Sequence, residues 1–190
     1  MEVQLPGKTY SAQLLPAIRE LLATHNATIA EIATIVVTNG PGSFTGIRIG
    51  LSTAKGLAEA HATPILAVSR LAVLAHKAGA TAAALDASRG EFYFCDSSAT
   101  RNEQLLTRDH FQQQAFTLAH SLAVCEPSVH ALTPLATLVA PPTAADALHF
   151  ALPRLHARDF DNPITLDGNY LRRSDAEIFS KPKAASTPAP

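Results

Sequence analysis

Gly40-Pro41-Gly42-Ser43-Phe44-Thr45-Gly46 crowds glycines, a proline and two hydroxyl side chains into one short stretch. These residue types make one chemistry available. Free backbone N–H groups in a glycine-rich turn at the start of a helix favour an anion, such as a phosphate or a carboxylate. The same composition also suits a plain strand-to-helix connector that uses glycine for the positive φ of a tight reversal. The local pattern leaves both readings open. It excludes two stronger motifs: no Lys-Ser or Lys-Thr follows Gly46, as a phosphate-gripping P-loop requires, and the glycine spacing is not that of a dinucleotide fingerprint. A nucleophilic Ser43 would lack the Gly-x-Ser-x-Gly elbow, and no base in the sequence is suggested for it.

The other chemistry-bearing residues are dispersed. The 8 histidines form no His-Glu-x-x-His or related spacing and read as solvated side chains. Asp86, Arg89 and Glu91 surround a tight turn, where they could orient a phosphate or serve as turn chemistry with a surface ion pair. Arg172 and Arg173 could grip a carboxylate or phosphate, or belong to a solvated strand. Cys95 and Cys125 stand far apart with no metal-ligand spacing, and read as two buried thiols. No catalytic residue, metal or cofactor is expected.

The elements that hold the glycine turn are clearer. Ile35-Val36-Val37 is an apolar β-branched run and reads as a buried strand over about 34–38. A helix is predicted from about Gly46 to Ala60, with Ser43 and Thr45 as candidate N-caps. Gly46, Gly50, Ala54 and Ala58 recur every fourth residue and form a stripe of minimal side chains along it, flanked by Ile47 and Leu51. Arg48, Ser52, Lys55 and Glu59 form its polar stripe. Glycine inside a helix costs roughly 1 kcal/mol against alanine, so the small stripe implies close approach of another backbone. A helix that is small or apolar on most sides is covered on more than one, and one of those covers is expected to be a partner's helix.

Around this centre the chain alternates. A helix over 9–24 places Leu14, Leu15, Ile18, Leu21 and Leu22 on one face. A second strand follows at 64–68, then a helix from Ser69 to Lys77 ended by Gly79, a strand over 81–86, a turn at 87–90 and a returning strand at 91–95. This order predicts a layered α/β sheet with a mixed edge. Beyond Asp96 the pattern weakens, leaving helices over about 108–122 and 144–156, and residues 180–190 lack the means to bury surface. The expected organisation is an α/β lobe over 1–97, a smaller one over 98–178 and a tail over 179–190. The 190 residues carry a net charge of −1 and 47% hydrophobic residues. That balance supports a real core and gives no basic field for nucleic acid or membrane. No stretch reaches the roughly 18 apolar residues of a membrane span, so the cytosol is expected.

Several blocks together resemble the bacterial TsaB (YeaZ) family. They are Gly40 to Gly50, Ala54-Lys55-Gly56-Leu57-Ala58, and Val68-Ser69 with Leu71. Ser11 to Leu22 is similar to that family's first helix, Asp86-Ala87-Ser88-Arg89-Gly90-Glu91-Phe92-Tyr93 to its Asp-Ala-Arg-x-Gly-Glu-Val-Tyr hairpin, and Tyr170-Leu171-Arg172 to its terminal Tyr-Leu-Arg. The resemblance implies a degenerate actin-like ATPase (ASKHA) fold, here without the strand hairpin that usually precedes the first helix. It also implies an accessory role in making N6-threonylcarbamoyladenosine on tRNA. Family members pair through their first two helices with the larger catalytic subunit TsaD, or with themselves, and a TsaE ATPase joins; tRNA is reached only through the complex. The expected interface here is Leu14, Ile18, Leu22, Gly46, Ile47, Gly50, Leu51, Ala54 and Ala58. The alternatives are an actin-like ATPase or phosphotransferase holding phosphate at the 40–46 turn, and a glycopeptidase-related protein.

Overall fold

The structure, a computed structural model, describes residues 2–5, 10–96 and 102–172. Pro6-Gly7, Arg173 and the expected tail over 179–190 lie outside the described residues. Helix α1 runs from Tyr10 to Thr24. Strand β1 (Ile35–Gly40) leads through the glycine turn into α2 (Phe44–His61) and β2 (Ile65–Ser69), with α3 (Arg70–Ala78) following directly. The hairpin β3 (Ala82–Asp86) and β4 (Glu91–Asp96) comes next, then β5 (Asn102–Thr107), α4 (Arg108–Leu118), β6 (Leu122–Val124), α5 (Pro127–His130), β7 (Thr137–Leu138) and α6 (Ala144–His156).

The helix limits follow their caps. Ser43 takes the N-cap of α2 and accepts the Gly46 N–H, so that helix begins at Phe44, two positions ahead of the expected start. Ser69 accepts from Ala72 at the start of α3, and Gly79 closes that helix at φ 62°. Thr143 and Asp146 form a reciprocal capping box on α6.

The alternating order predicts one sheet; the strands instead form two ladders. β1 and β2 pair in parallel by themselves, and the other five form a mixed sheet in the order β5-β4-β3-β6-β7. The physical reason is visible at the outer edge of β2. Asp161 N–H donates to Ile65 O at 2.9 Å, and the Asp161 carboxylate accepts the Ala67 N–H at 2.7 Å. Arg154 donates to Ala67 O at 3.0 Å. The next strand cannot pair where side chains already hold the backbone. The expected boundary at residue 97 falls between β4 and β5, which pair in register over six positions.

The five-stranded sheet is covered on both faces, and its residues alternate accordingly. Ala82, Ala84, Phe92, Phe94, Leu122 and Val124 face Phe111 and Ala115 of α4 and Val129 of α5. Ala83, Leu85, Tyr93, Cys95 and Ala123 face Leu71, Leu74 and Ala75 of α3. In the smaller lobe, Ala54 and Ala58 of α2 pack with Ile65, Ile35 and Val37 on one face. Leu66 and Val68 pack with Val73, Ala147 and Ala151 on the other. Helix α3 therefore serves both lobes.

Candidate functional site

Two surfaces meet at the turn between β1 and α2. One is an apolar groove between α1, β1 and α2. The other is a polar cleft of about 360 Å³ between the lobes, lined by Gly42, Ser43, Phe44, Arg70, Arg89, Tyr93, Tyr170 and Arg172 among others.

The turn is shaped by what approaches it. Gly40 adopts φ 115°, and a Cβ there would lie 2.9 Å from Ile47 Cδ1 and 3.1 Å from Asn169 O. Asn169 N–H donates to Asn39 O at 2.8 Å, and the Asn169 amide also donates to Glu103, which accepts from Ser69 as well. Glycine at 40 thus answers to close packing by a segment more than a hundred residues away. The Gly46 N–H is already used by Ser43 Oγ, so the turn presents fewer free donors than its composition suggests.

The titratable groups of the cleft are mostly engaged within the chain. Asp86 accepts the Ser88 N–H at 2.7 Å, the turn chemistry expected of it. Glu91 pairs with Arg172, which also donates to Ser88 O at 2.9 Å. Of the two roles open to Arg172, an anion grip or a solvated strand, neither describes its contacts: it braces the β3–β4 hairpin. Arg70 lies 4.0 Å from Glu126. Burial raises the Glu126 carboxyl above its usual range, against the pull of Arg70, and burial pushes the Cys125 thiol up to about 11. Both cysteines are buried reduced thiols, as read from their spacing. Among the described residues, no group of three or more His, Cys, Asp or Glu side chains could hold a metal ion.

The groove is the larger feature. Helix α1 has no buried residue. Its Leu14, Ile18, Leu21 and Leu22 line a cavity of about 360 Å³ with Ile29, Ile32, Ile35 to Val37, Gly50, Thr53 and Leu57. A neighbouring cavity of about 410 Å³ joins Tyr10 and Leu14 to Gly46, Ile49 and Gly50.

The nine residues expected at an interface separate here. Leu14, Ile18, Leu22, Gly46 and Gly50 surround the groove, and Ile47 and Ala54 reach its wall. Ile47, Leu51, Ala54 and Ala58 are 9%, 5%, 6% and 3% exposed, so the protein's own core takes most of their surface. Ala54 and Ala58 are small because β1 and β2 pack against them. Gly50 differs: a Cβ there would meet nothing within 4 Å. One group escaped the spacing argument, the ring of Phe44 packed at a tilt 4.9 Å from Tyr170 under the Arg48 guanidinium. The spacing of Phe44 and Arg48, one helical turn apart, carried a signal for half of it.

Comparison with known proteins adds the relationship. A family model described as "TsaD: tRNA N6-adenosine threonylcarbamoyltransferase" matches residues 4–159. The tRNA threonylcarbamoyladenosine biosynthesis protein TsaB of Escherichia coli (strain K12) is 35% identical over 105 residues, covering 52% of this chain and 46% of that protein. Its counterpart in Bacillus subtilis (strain 168) is 41% identical over 90 residues, 45% of this chain and 39% of that protein. The chain thus matches under half the length of these relatives. A crystal structure of an uncharacterized protein with similarity to peptidase YEAZ from Pseudomonas aeruginosa superposes with a TM-score of 0.70 at 26% identity, over 89% of this chain and 87% of that one. YeaZ from Pseudomonas aeruginosa gives a TM-score of 0.63 at 24% identity, over 88% and 87%, and shows the same fold.

Proposed function

The chain belongs to the family described as TsaD: tRNA N6-adenosine threonylcarbamoyltransferase, and from that premise we propose that it is an accessory, non-catalytic subunit of tRNA threonylcarbamoyladenosine biosynthesis. In this reading it pairs with a TsaD-like catalytic subunit through α1 and α2, a TsaE-like ATPase joins the assembly, and the complex works in the cytosol. The TsaB names of its relatives support the pathway.

The observation that carries the pairing surface is the uncovered groove. Five apolar side chains on one face of α1 remain without a buried position, although burying a leucine or isoleucine is worth about 1.5–3 kcal/mol. The glycine at position 50 has open space in front of it among the described residues, so a helix interior carries a residue that costs roughly 1 kcal/mol with no contact among those residues to require it. Close approach by a partner's helix accounts for both. The interface then centres on Leu14, Ile18, Leu22, Gly46 and Gly50, with Ile47 and Ala54 at the groove wall and Leu51 and Ala58 supporting α2 from behind.

The test is co-purification with the TsaD-like protein of the same organism, read by size-exclusion chromatography with light scattering. A one-to-one complex is expected, and Gly50→Leu is expected to abolish it with the circular dichroism and melting temperature little changed. A Gly50→Leu chain that still forms the complex would refute the groove as the pairing surface. A self-paired chain that ignores the partner would assign the groove to a second copy. ATP hydrolysis by the purified chain, lost in Gly42→Val, would favour an actin-like ATPase instead.

A further inference from the structure

We propose that the Arg48–Phe44–Tyr170 cluster at the mouth of the interlobe cleft is a direct contact for tRNA, with the guanidinium of Arg48 on a phosphate. This rests on the accessory-subunit reading and differs from it in one respect: RNA touches this chain itself, on a surface of α2 separate from the pairing groove.

Arg48 follows Phe44 by one helical turn, so the two side chains share a face of α2. The guanidinium carbon sits 4.0 Å from the Phe44 ring centroid and 5.9 Å from that of Tyr170. The two rings lie 4.9 Å apart at 51°. Arg70, Arg154 and Arg172 each have a carboxylate within reach: Glu126, Asp159 and Asp161, and Glu91. Arg48 is exposed, and no carboxylate among the described residues pairs with it. A flexible cation is thereby held over the face of an aromatic ring while its donors stay open to an incoming group, and a planar guanidinium suits two phosphate oxygens at once.

The surroundings fit a nucleotide better than a lone acidic side chain. Phe44 and Tyr170 line the cleft, which continues to Ser43, Arg70, Ser88, Arg89 and Tyr93. Single-stranded nucleic acid is held by this combination of ring faces and cations along a groove. The α2 N-terminus opens at Ser43 on the same side and adds its favourable field for phosphate. The carboxylates nearby are turned to their own partners: Asp86 to the Ser88 N–H, Glu91 to Arg172 and Glu126 towards Arg70. Tyr170 acts as a positioning residue, since it supports Phe44 and Arg48 from a different part of the chain. On the helical wheel, Arg48 points away from the side on which Gly46, Gly50 and Leu57 face the groove, so partner and RNA do not compete.

The experiment measures binding of a fluorescently labelled unmodified tRNA transcript to the assembled complex with the TsaD-like subunit, over a range of salt concentrations. Arg48→Gln is expected to weaken binding about tenfold and to lower the slope of log affinity against log salt by about one, as loss of one phosphate contact requires. Tyr170→Leu is expected to reproduce much of that loss with Arg48 intact, and Tyr170→Phe to restore wild-type affinity. An Arg48→Gln complex with unchanged affinity and slope overturns this inference alone. Loss of the complex itself in Arg48→Gln, seen by light scattering, also overturns it by making Arg48 a partner contact. Absence of any wild-type complex overturns the accessory-subunit reading and this inference with it.

Discussion

The two sheets treat their strands differently. In the five-stranded sheet, β3 has a strand on each side and a helix layer on each face, and Ala82 to Leu85 are 0% exposed. In the two-stranded sheet, β1 has no fully buried residue before Gly40, and its only neighbour in the ladder is β2. The two edges of that small sheet also differ. Beyond β2, Asp161 and Arg154 hold the backbone of Ile65 and Ala67. Ile35 N–H points to Pro64 O, so the alternate backbone groups at Val36 and Thr38 face the other edge, where no strand stands among the described residues. The lesson is that one lobe is completed internally while the other presents an unfinished apolar surface, made of α1, the β1 edge and the open side of α2. That is where association has most to gain.

The contrast breaks first at the core. Phe111→Ala in the covered lobe removes a fully buried ring stacked 4.3 Å from Phe92, and is expected to cost about 3–5 kcal/mol in urea unfolding. Leu15→Ala, at a side chain 53% exposed on α1, is expected to stay within about 0.5 kcal/mol. Equal costs would end the comparison. The edge of β2 comes next. Asp161→Ala removes a carboxylate that holds both the Ala67 N–H and Arg154. A loss of about 2 kcal/mol is expected, with faster hydrogen exchange at Ala67; unchanged exchange there would show the edge is protected by something else.

Two glycines sharpen the same point with smaller effects. Gly40→Ala meets Ile47 and the Asn169 backbone at an unfavourable φ and is expected to destabilise by about 1–2 kcal/mol. Gly50→Ala meets open space and is expected to stabilise the isolated chain by about 0.5–1 kcal/mol. A Gly50→Ala chain that melts earlier would mean that α2 is already covered there. The smallest effect is electrostatic. Asp146 bonds to Lys77 at 2.7 Å and accepts from Thr143 at the start of α6. These bonds, led by that of Lys77, hold its carboxyl at about 2 against an ordinary 3.8. Because the folded-state value is the depressed one, its contribution is present above about pH 4 and is lost as the pH falls towards 2. Asp146→Asn should therefore flatten stability against pH in that window and leave the slope above pH 5 unchanged.

Much of the fold was legible because its signals are local. The strand-turn-helix around Gly40 to Gly46, the Ser43 and Ser69 caps, the Gly79 stop and the 86–91 hairpin each depend on residues within one or two turns of one another. β5 was not legible: Asn102-Glu103-Gln104 is polar, and it is a strand because β4 offers it a ladder. What faces the small-residue stripe of α2 was not legible. A four-residue stripe shows that Gly46, Gly50, Ala54 and Ala58 share a side of α2, but periodicity is blind to what stands opposite. The chain's own β1 and β2 meet Ala54 and Ala58, and open space meets Gly50.

Sequence alone therefore determined most of the elements before Asp96, the Ser43 and Ser69 caps, the family likeness and the set of small and apolar positions on the first two helices. Only the tertiary structure decided that the strands divide into two ladders, that Asn169 and Tyr170 return to the glycine turn, that Arg172 answers Glu91, and that Arg48 rests on two rings. The reason is range: capping, turns and amphipathic faces are set by neighbours in the chain, whereas a contact across a hundred residues depends on which surfaces the packed lobes leave facing each other.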